Sequence, residues 1–171
     1  MRRLILMRHA KSAWDHPEAE DRDRPLDARG RLAALLMGAW LAEEGAWPDH
    51  VLHSSALRCV QTWERMRMGA GRDAPAEAVD ALYMADAETA LGVLHRAPEA
   101  ARTVLMIGHE PGGSAFLRRL SDGTESAGAR RAHEKFPTAA AALMELDDAP
   151  WSAVAFGTAR CRRLVAPKDL V

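Results

Sequence analysis

Two apolar runs of strand length constrain the fold of this chain more than any other feature. Residues 4–7 are apolar throughout, and so are residues 104–107. A continuous apolar run, without the alternation of a half-exposed strand, is typical of a strand covered on both faces. Each run is followed within two residues by a histidine, His9 in the first case and His109 in the second. The sequence therefore predicts two buried strands with histidines at their carboxyl ends.

Amphipathic segments between the strands predict the rest of the architecture. Asp27 is predicted to cap a helix that Gly45 closes, and Asp86 to cap a helix that continues to Arg96. The other helices are predicted over residues 56–68 and 114–120, and the strands over 4–7, 50–54, 103–107, 139–146, 153–156 and 160–165. Alternating strands and helices indicate an α/β sandwich with a mostly parallel sheet, formed by a single domain over residues 1–171.

Charge and composition exclude several classes of function. The chain has 23 Lys and Arg against 24 Asp and Glu, a formal net charge of −1, which argues against a large nucleic-acid interface. No apolar run approaches the roughly 20 residues of a membrane helix, and charge returns too soon after residues 4–7 for a signal peptide. Cys59 and Cys161 are too few for a disulfide framework and lack metal-ligand spacing. A cytoplasmic protein without a nucleic-acid or membrane partner is expected, and the sequence carries no signal for an oligomeric state.

The first chemical motif is Arg8-His9, with Ser12 shortly after it. In open α/β sheets ligands bind at the carboxyl ends of the strands, so Arg8, His9 and His109 are expected to share one crevice if their strands are neighbours. Guanidinium groups match phosphate oxygens, and fixed positive charge stabilises a phosphoryl group in transfer. The alternative is a solvated basic loop with a structural histidine.

Two further motifs extend the same crevice. Arg58 falls in the first turn of a predicted helix, where the positive potential of the helix end disfavours a cation unless an anion is held there. The alternative is an exposed arginine that pairs with a nearby carboxylate such as Glu64. His109 and Glu110 precede a Pro-Gly-Gly turn, and a histidine held by backbone carbonyls is the alternative at that position.

The ordered motifs together resemble the histidine phosphatase superfamily, also called phosphoglycerate-mutase-like, and within it the small SixA-type phosphohistidine phosphatases. The matching stretches run nearly end to end: residues 6–14, 23–30, 54–58 with Gln61 and Thr62, 81–83 and 108–112. The resemblance implies a three-layer α/β/α sandwich on a mixed, mostly parallel sheet of about six strands.

The resemblance also implies a role for each motif residue. His9 would be the nucleophile that becomes transiently phosphorylated, while Arg8, Arg58 and a protonated His109 would surround the phosphoryl oxygens. Ser12 would either donate its hydroxyl to the phosphate or cap the local turn. No metal or other cofactor is implied, because the cationic side chains would serve instead.

The expected reaction is metal-independent removal of phosphate from phosphohistidine on a partner protein. The alternatives are a phosphatase of small phosphomonoesters, such as sugar phosphates or nucleotides, and a non-catalytic phosphate-binding module. Glu110 is the favoured general acid, and the alternative is that it caps the following turn or helix. Larger members of the superfamily can also supply a carboxylate from the segment after the Arg58-type helix, and Asp86 and Glu88 lie near that position. The chain lacks the insertions that form a lid in mutases, so an open pocket is expected.

Overall fold

A computed structural model describes all residues of the chain, 1–171, as a six-stranded sheet with helices on both faces. The strands are β1 (Arg2–Arg8), β2 (His50–Ser54), β3 (Ala76–Val79), β4 (Thr103–Gly108), β5 (Ala141–Leu146) and β6 (Arg160–Val165). The α-helices are α1 (Ala28–Glu43), α2 (Leu57–Ala70), α3 (Ala87–Leu94), α4 (Gly112–Leu120) and α5 (Ala127–Arg130). Short 3₁₀ segments occur at Asp21–Asp23, Asp80–Leu82, Arg131–His133, Trp151–Ala153 and Pro167–Leu170.

The sheet has the order β3-β2-β4-β1-β5-β6. β1 and β4 are parallel neighbours with Arg8 opposite Gly108, so the two histidines that follow them leave the sheet side by side. Only β5 runs in the opposite direction, because it is antiparallel to both β1 and β6. The predicted mixed, mostly parallel sheet of about six strands is confirmed.

The apolar runs are explained by burial on both faces of the sheet. In β1, Leu4 and Leu6 pack into the core layer that includes α3 and α4. Ile5 and Met7 point to the opposite layer, which includes α1 and α2. All four side chains are at most 4 % exposed, and full burial of each stabilises the fold by about 2 kcal/mol.

Two predicted helix caps are present. The Asp27 carboxylate accepts a hydrogen bond from the Gly30 amide at 2.7 Å, and the Asp86 carboxylate accepts one from the Thr89 amide at 2.8 Å. Each satisfies a backbone N–H that the first turn of a helix leaves free. Both helix starts are therefore confirmed.

The helix that carries Arg58 is held close to α1. A Cβ atom on Gly38 of α1 would lie 2.1 Å from the Met66 carbonyl oxygen of α2, so only glycine permits this approach. Cβ on Gly69 would lie 2.0 Å from the Leu35 carbonyl oxygen at the next point of contact. These contacts set the close packing of α1 against α2, the helix that carries Arg58 in its first turn.

The structure differs from the prediction in three segments. The strand predicted over 153–156 is wrong, because a 3₁₀ turn forms at Trp151–Ala153. Its Trp151 ring is fully buried and donates Nε1–H to the Ala101 carbonyl at 2.8 Å, which packs this segment on the sheet instead of in it. The sixth strand is β3, a short edge strand whose residues are exposed or half-buried and carry no apolar pattern. The single-turn helix α5 lies outside the predicted helices and strands.

None of the helices combines the length and the apolar character that a membrane-crossing helix requires.

Candidate active site

A cavity of about 280 Å³ lies beside the carboxyl ends of β1 and β4. All the site residues predicted from the sequence line it, namely Arg8, His9, Ser12, Arg58, His109 and Glu110. The other lining residues are Lys11, Trp14, Asp21, Arg24, Met84 and Thr138. The neighbouring strand ends thus bring together residues as distant in the chain as Arg8 and Glu110.

His9 is held in one tautomer and one charge state. Its buried ring has Nδ1 2.7 Å from the Ala10 carbonyl oxygen. Because a carbonyl oxygen only accepts, Nδ1 carries the hydrogen and Nε2 keeps a free lone pair. Burial, with smaller effects of His109, Arg58 and Arg8, lowers the pKa of His9 to about 3. Near pH 7 the ring is a neutral imidazole with a nucleophilic nitrogen.

Two guanidinium groups at the pocket each have a buried nitrogen without a protein partner. Arg8 donates through Nη1 to the Phe136 carbonyl at 3.0 Å, but its Nε is unpaired. Arg58 lies in the first turn of α2, as predicted, and its Nε is also buried and unpaired. A buried N–H without a partner destabilises the fold, so these two groups are suited to donate to a bound anion. Nowhere in the structure do three or more His, Cys, Asp or Glu side chains group in a way that could hold a metal ion.

Asp21 is the carboxylate partner of Arg58, and the alternative of an exposed arginine that pairs with a carboxylate such as Glu64 does not describe this buried side chain. Arg58 donates through Nη1 to the Asp21 backbone carbonyl at 2.6 Å and through Nη2 to its carboxylate at 3.0 Å. The same carboxylate accepts hydrogen bonds from the Tyr83 hydroxyl and from Arg24 Nε. The Tyr83 hydroxyl, followed by Arg58 and Arg24, lowers the pKa of Asp21 to about 2. Asp21 is therefore ionised near pH 7 and partly neutralises the charge of Arg58.

His109 contacts Arg58 on one side and Ser54 on the other. Arg58 Nη2 lies 3.3 Å from Nδ1 and Ser54 Oγ lies 2.8 Å from Nε2, so Nδ1 accepts and Nε2 donates. The His109 ring centroid is 5.4 Å from that of His9. Burial and the adjacent Arg58 lower the pKa of His109 to about 4, so its ring is neutral in the free pocket near pH 7, and a protonated His109 beside the phosphoryl oxygens stays a prediction. A bound phosphoryl dianion would raise that pKa.

The comparisons with known proteins agree with this geometry. The sequence model of the histidine phosphatase superfamily (branch 1) matches residues 4–100, more than half of the chain. The chain belongs to the histidine phosphatase superfamily. The protein Rv1276c of Mycobacterium tuberculosis is 41 % identical to it over 142 residues, which cover 82 % of this chain and 87 % of that protein.

Solved structures place this histidine phosphatase near the SixA group. A protein from Nakamurella multipartitia assigned as a SixA phosphohistidine phosphatase has a TM-score of 0.81 at 28 % identity, over 97 % of this chain and 96 % of the other. The protein histidine phosphatase SixA in complex with tungstate has a TM-score of 0.80 at 26 % identity, over 99 % of both chains. The phosphoglycerate-mutase-like fold is therefore shown, and the chain is a hydrolase of the phosphatase type.

Ser12 lies in the pocket of this histidine phosphatase with its hydroxyl hydrogen available. Ser12 is buried, and its Oγ accepts a hydrogen bond from Arg24 Nη1 at 2.9 Å. Because Oγ accepts from Arg24, its own hydrogen is left to donate. Of the two roles that the sequence left open, the geometry favours donation to a bound anion.

The carboxylate of Glu110 is occupied by backbone amides. Oε1 accepts from the Ser114 amide at 2.7 Å, in the first turn of α4, and Oε2 accepts from the Phe136 amide at 3.1 Å. These contacts correspond to the structural alternative that the sequence leaves open for Glu110. They cap α4 and connect it to Phe136, whose carbonyl also accepts a hydrogen bond from Arg8. Asp86 caps α3, Glu88 pairs with Arg119, and neither lines the pocket. The general-acid role of Glu110 stays a prediction that its contacts disfavour.

Four residues that build the site are not predicted from the sequence: Ser54, Asp21, Arg24 and Tyr83. Three of these lie in stretches that support the family resemblance, at residues 23–30, 54–58 and 81–83. Asp21 lies just before the first of these and gave no separate signal. Its role depends on a contact with Arg58, 37 positions later, that the sequence pattern does not encode.

Replacing Asp21 with asparagine is expected to tighten the binding of phosphate analogues. The Asp21 carboxylate contacts the same guanidinium that a phosphoryl group would use, so it competes electrostatically with a bound anion. Two unit charges about 4 Å apart in high dielectric interact by about 1 kcal/mol, which corresponds to about a fivefold change in affinity. The measurement is the inhibition constant for tungstate in Asp21→Asn and wild type. A weaker inhibition by tungstate would show that Asp21 instead positions Arg58 for anion binding.

Proposed function

We propose that this protein hydrolyses phosphohistidine on a partner protein through a phosphorylated His9. The proposal rests on the pocket's combination of a neutral, oriented imidazole, two guanidinium groups with free buried donors, and no carboxyl group arranged to donate a proton. The last of these observations favours phosphohistidine as the substrate class. The similarity to SixA proteins supports the same conclusion.

The first step is attack of His9 Nε2 on the substrate phosphorus. A P–Nε2 bond forms while the P–N bond of the substrate phosphohistidine breaks, and the substrate imidazole leaves with the electron pair and takes a proton from solvent. The ring of His9 becomes more positive as it is phosphorylated. The Ala10 carbonyl, which accepts Nδ1–H at 2.7 Å, stabilises that charge and keeps Nε2 directed away from it.

The phosphoryl oxygens would be held by groups that the fold already fixes. Arg8 and Arg58 offer their unpaired Nε–H groups, and Ser12 offers its hydroxyl. His109 lies beside Arg58 and would gain a proton, and thus a positive charge, as the phosphoryl dianion raises its pKa. These cations offset the charge spread over the equatorial oxygens in the transition state.

The leaving group decides between phosphohistidine and phosphate esters. An alkoxide leaves poorly without a proton donor, whereas imidazole leaves readily. Two carboxyl groups line the pocket: Asp21 has a pKa of about 2, and both oxygens of Glu110 accept backbone amides. Neither is arranged to protonate an alkoxide, which favours phosphohistidine.

Water completes the cycle. Its oxygen attacks the phosphorus of phospho-His9, the P–Nε2 bond breaks, and the imidazole recovers its lone pair as inorganic phosphate leaves. The pocket rim is exposed, with Trp14 77 % and Met84 50 % accessible, so water and a large substrate can both reach His9. An open rim suits a phosphorylated side chain on another protein. Mutase chemistry would instead require a segment that covers the pocket and shields phospho-His9 from water.

The test is inorganic phosphate release from a histidine-phosphorylated phosphotransfer domain, compared with release from a simple alkyl phosphate. We expect kcat/KM to be at least about 10³-fold higher for the phosphohistidine substrate, because a general acid contributes about 10²–10⁴-fold to reactions that need one. Turnover confined to the alkyl phosphate would support the small phosphomonoester alternative, and tungstate binding without turnover of either would support a phosphate-binding module.

Glu110→Gln separates the structural role of Glu110 from the catalytic one. We expect phosphohistidine turnover to change by less than about threefold, and unfolding to require about 1–2 kcal/mol less, because the glutamine NH₂ group faces an amide that needs an acceptor. The measurements are steady-state rates across pH and urea unfolding. A large loss of rate with loss of the basic limb of the pH profile would restore Glu110 as the general acid.

A further inference from the structure

A second cavity adjoins the catalytic pocket and has a different chemical character. It has a volume of about 500 Å³ and lies between the start of α1 and the C-terminal segment of the chain. Leu32 and Leu36, one helical turn apart on α1, contribute its larger apolar side chains, with Val171 from the chain end. Leu32 is 58 % exposed, an unusual exposure for a leucine in the middle of a helix face. We call this cavity the α1 groove.

The α1 groove borders the catalytic pocket. Lys11 and Thr138 line both cavities. Lys11 lies two residues after His9, and the residue after Thr138, Ala139, donates its amide to the carbonyls of Arg8 and His9. A molecule that presents a phosphoryl group to His9 can therefore reach the α1 groove without crossing another surface.

Unpaired positive charge surrounds the apolar floor of the groove. Lys11, Arg29 and Lys168 line it and are exposed, and no acidic side chain lines it. None of these two lysines and one arginine forms an ion pair in the structure, whereas most of the exposed arginines elsewhere in the chain do. Apolar side chains ringed by unpaired cations complement a helix with apolar and acidic residues on one face.

We propose that the α1 groove binds an acidic amphipathic helix of the partner protein, the helix that carries the phosphohistidine. Its apolar side chains would cover Leu32 and Leu36, and its carboxylates would pair with Arg29 and Lys168. This inference rests on the proposed function, because it places the phosphorylated residue of that helix at His9.

The test uses two synthetic helical peptides phosphorylated on a single histidine. One carries leucine and glutamate on the face of the phosphohistidine, and the other has lysine in place of each glutamate. For the wild-type protein at low ionic strength, kcat/KM is expected to be about tenfold higher for the acidic peptide than for the basic one. The two peptides should differ in KM, and added salt should reduce that difference. In the double variant Arg29→Glu with Lys168→Glu the preference is expected to invert, and in Leu32→Asp the KM for the acidic peptide is expected to rise about tenfold.

Matched controls come from the C-terminal end of α2, where Arg67, Arg72 and the 63 % exposed Met68 line a shallow surface depression. Arg67→Glu with Arg72→Glu makes the same change in charge, and Met68→Asp the same change at an exposed apolar site. Neither is expected to alter the preference between the peptides.

Free phosphohistidine separates failure of the groove from failure of the proposed function. The groove variants are expected to hydrolyse it at the wild-type rate, because it does not extend beyond the catalytic pocket. Hydrolysis of free phosphohistidine together with equal kcat/KM for the two peptides would overturn the groove proposal alone. A groove variant that changes the oligomeric state would also overturn it, because the groove would then be a contact between copies of this chain. No hydrolysis of free phosphohistidine or of either peptide would overturn the proposed function.

Discussion

Replacement of His9 with alanine is expected to lower phosphate release from phosphohistidine by at least about 10⁴-fold, as removal of a catalytic nucleophile does in other enzymes. Nε2 of His9 is the nitrogen with a free lone pair in the pocket, since Nδ1 donates to the Ala10 carbonyl. The guanidinium groups of Arg8 and Arg58 remain in the variant, so tungstate affinity is expected to stay within about tenfold of wild type. The measurements are single-turnover phosphate release and tungstate binding by calorimetry.

His53 provides a matched control for this variant. It is also a buried histidine at a strand end whose Nδ1 donates to the carbonyl of the next residue, at 2.9 Å from Ser54 O, but it does not line the pocket. His53→Ala is expected to lower thermal stability while keeping turnover within about threefold of wild type. If His9→Ala retains turnover comparable to that of His53→Ala, the nucleophile is not His9.

Replacement of Arg58 with alanine is expected to reduce kcat/KM for phosphohistidine by about 10³-fold and to weaken tungstate binding by at least about tenfold. Arg58 acts on both quantities because its guanidinium is held at the pocket before the anion arrives, by the Asp21 backbone carbonyl and by His109. Arg58→Lys is expected to restore only part of the loss, since an ammonium group cannot make the same set of planar contacts.

The same variant has a second, spectroscopic readout. Arg58 lowers the pKa of His109 and of Asp21, so both pKa values are expected to rise in Arg58→Ala. NMR titration of the His109 ring measures the first of these two shifts directly. Arg67→Ala, on the same helix and paired with Asp73, is the control that should leave these values and the rate unchanged. A loss of kcat/KM below about tenfold in Arg58→Ala would contradict its role in stabilising the phosphoryl group.

Much of the fold was predictable because its central strands have a simple pattern. β1 and β4 are buried on both faces and are apolar throughout residues 4–7 and 104–107, so both strands and the histidines that follow them can be recognised in the sequence. The edge strand β3 has no apolar face, and its residues gave no strand pattern. Residues 153–156 are apolar because Val154, at the end of a 3₁₀ turn, packs against the core. Composition alone does not distinguish such a buried turn from a strand.

The site was predictable where strand ends and a helix start place its residues, and less so where loops do. Arg8, His9, Arg58 and His109 follow directly from such elements. The contacts of Asp21 with Arg58, Arg24 and Tyr83 join a loop to distant segments, and nothing local in the sequence specifies them. The charge state of His109 is likewise set by burial and by Arg58, which only the folded chain brings together.

Direct detection of phosphorylated His9 tests the central claim most closely. The protein is mixed with ³²P-labelled phosphohistidine substrate for short times, quenched in alkali, where phosphohistidine is stable, and digested for mass spectrometry. Label is expected on the peptide that contains His9, attached at Nε2. It should rise and fall with turnover and be absent from His9→Ala. Phosphate release at the full rate with no label on His9 at any time, or with label on another residue, would contradict it.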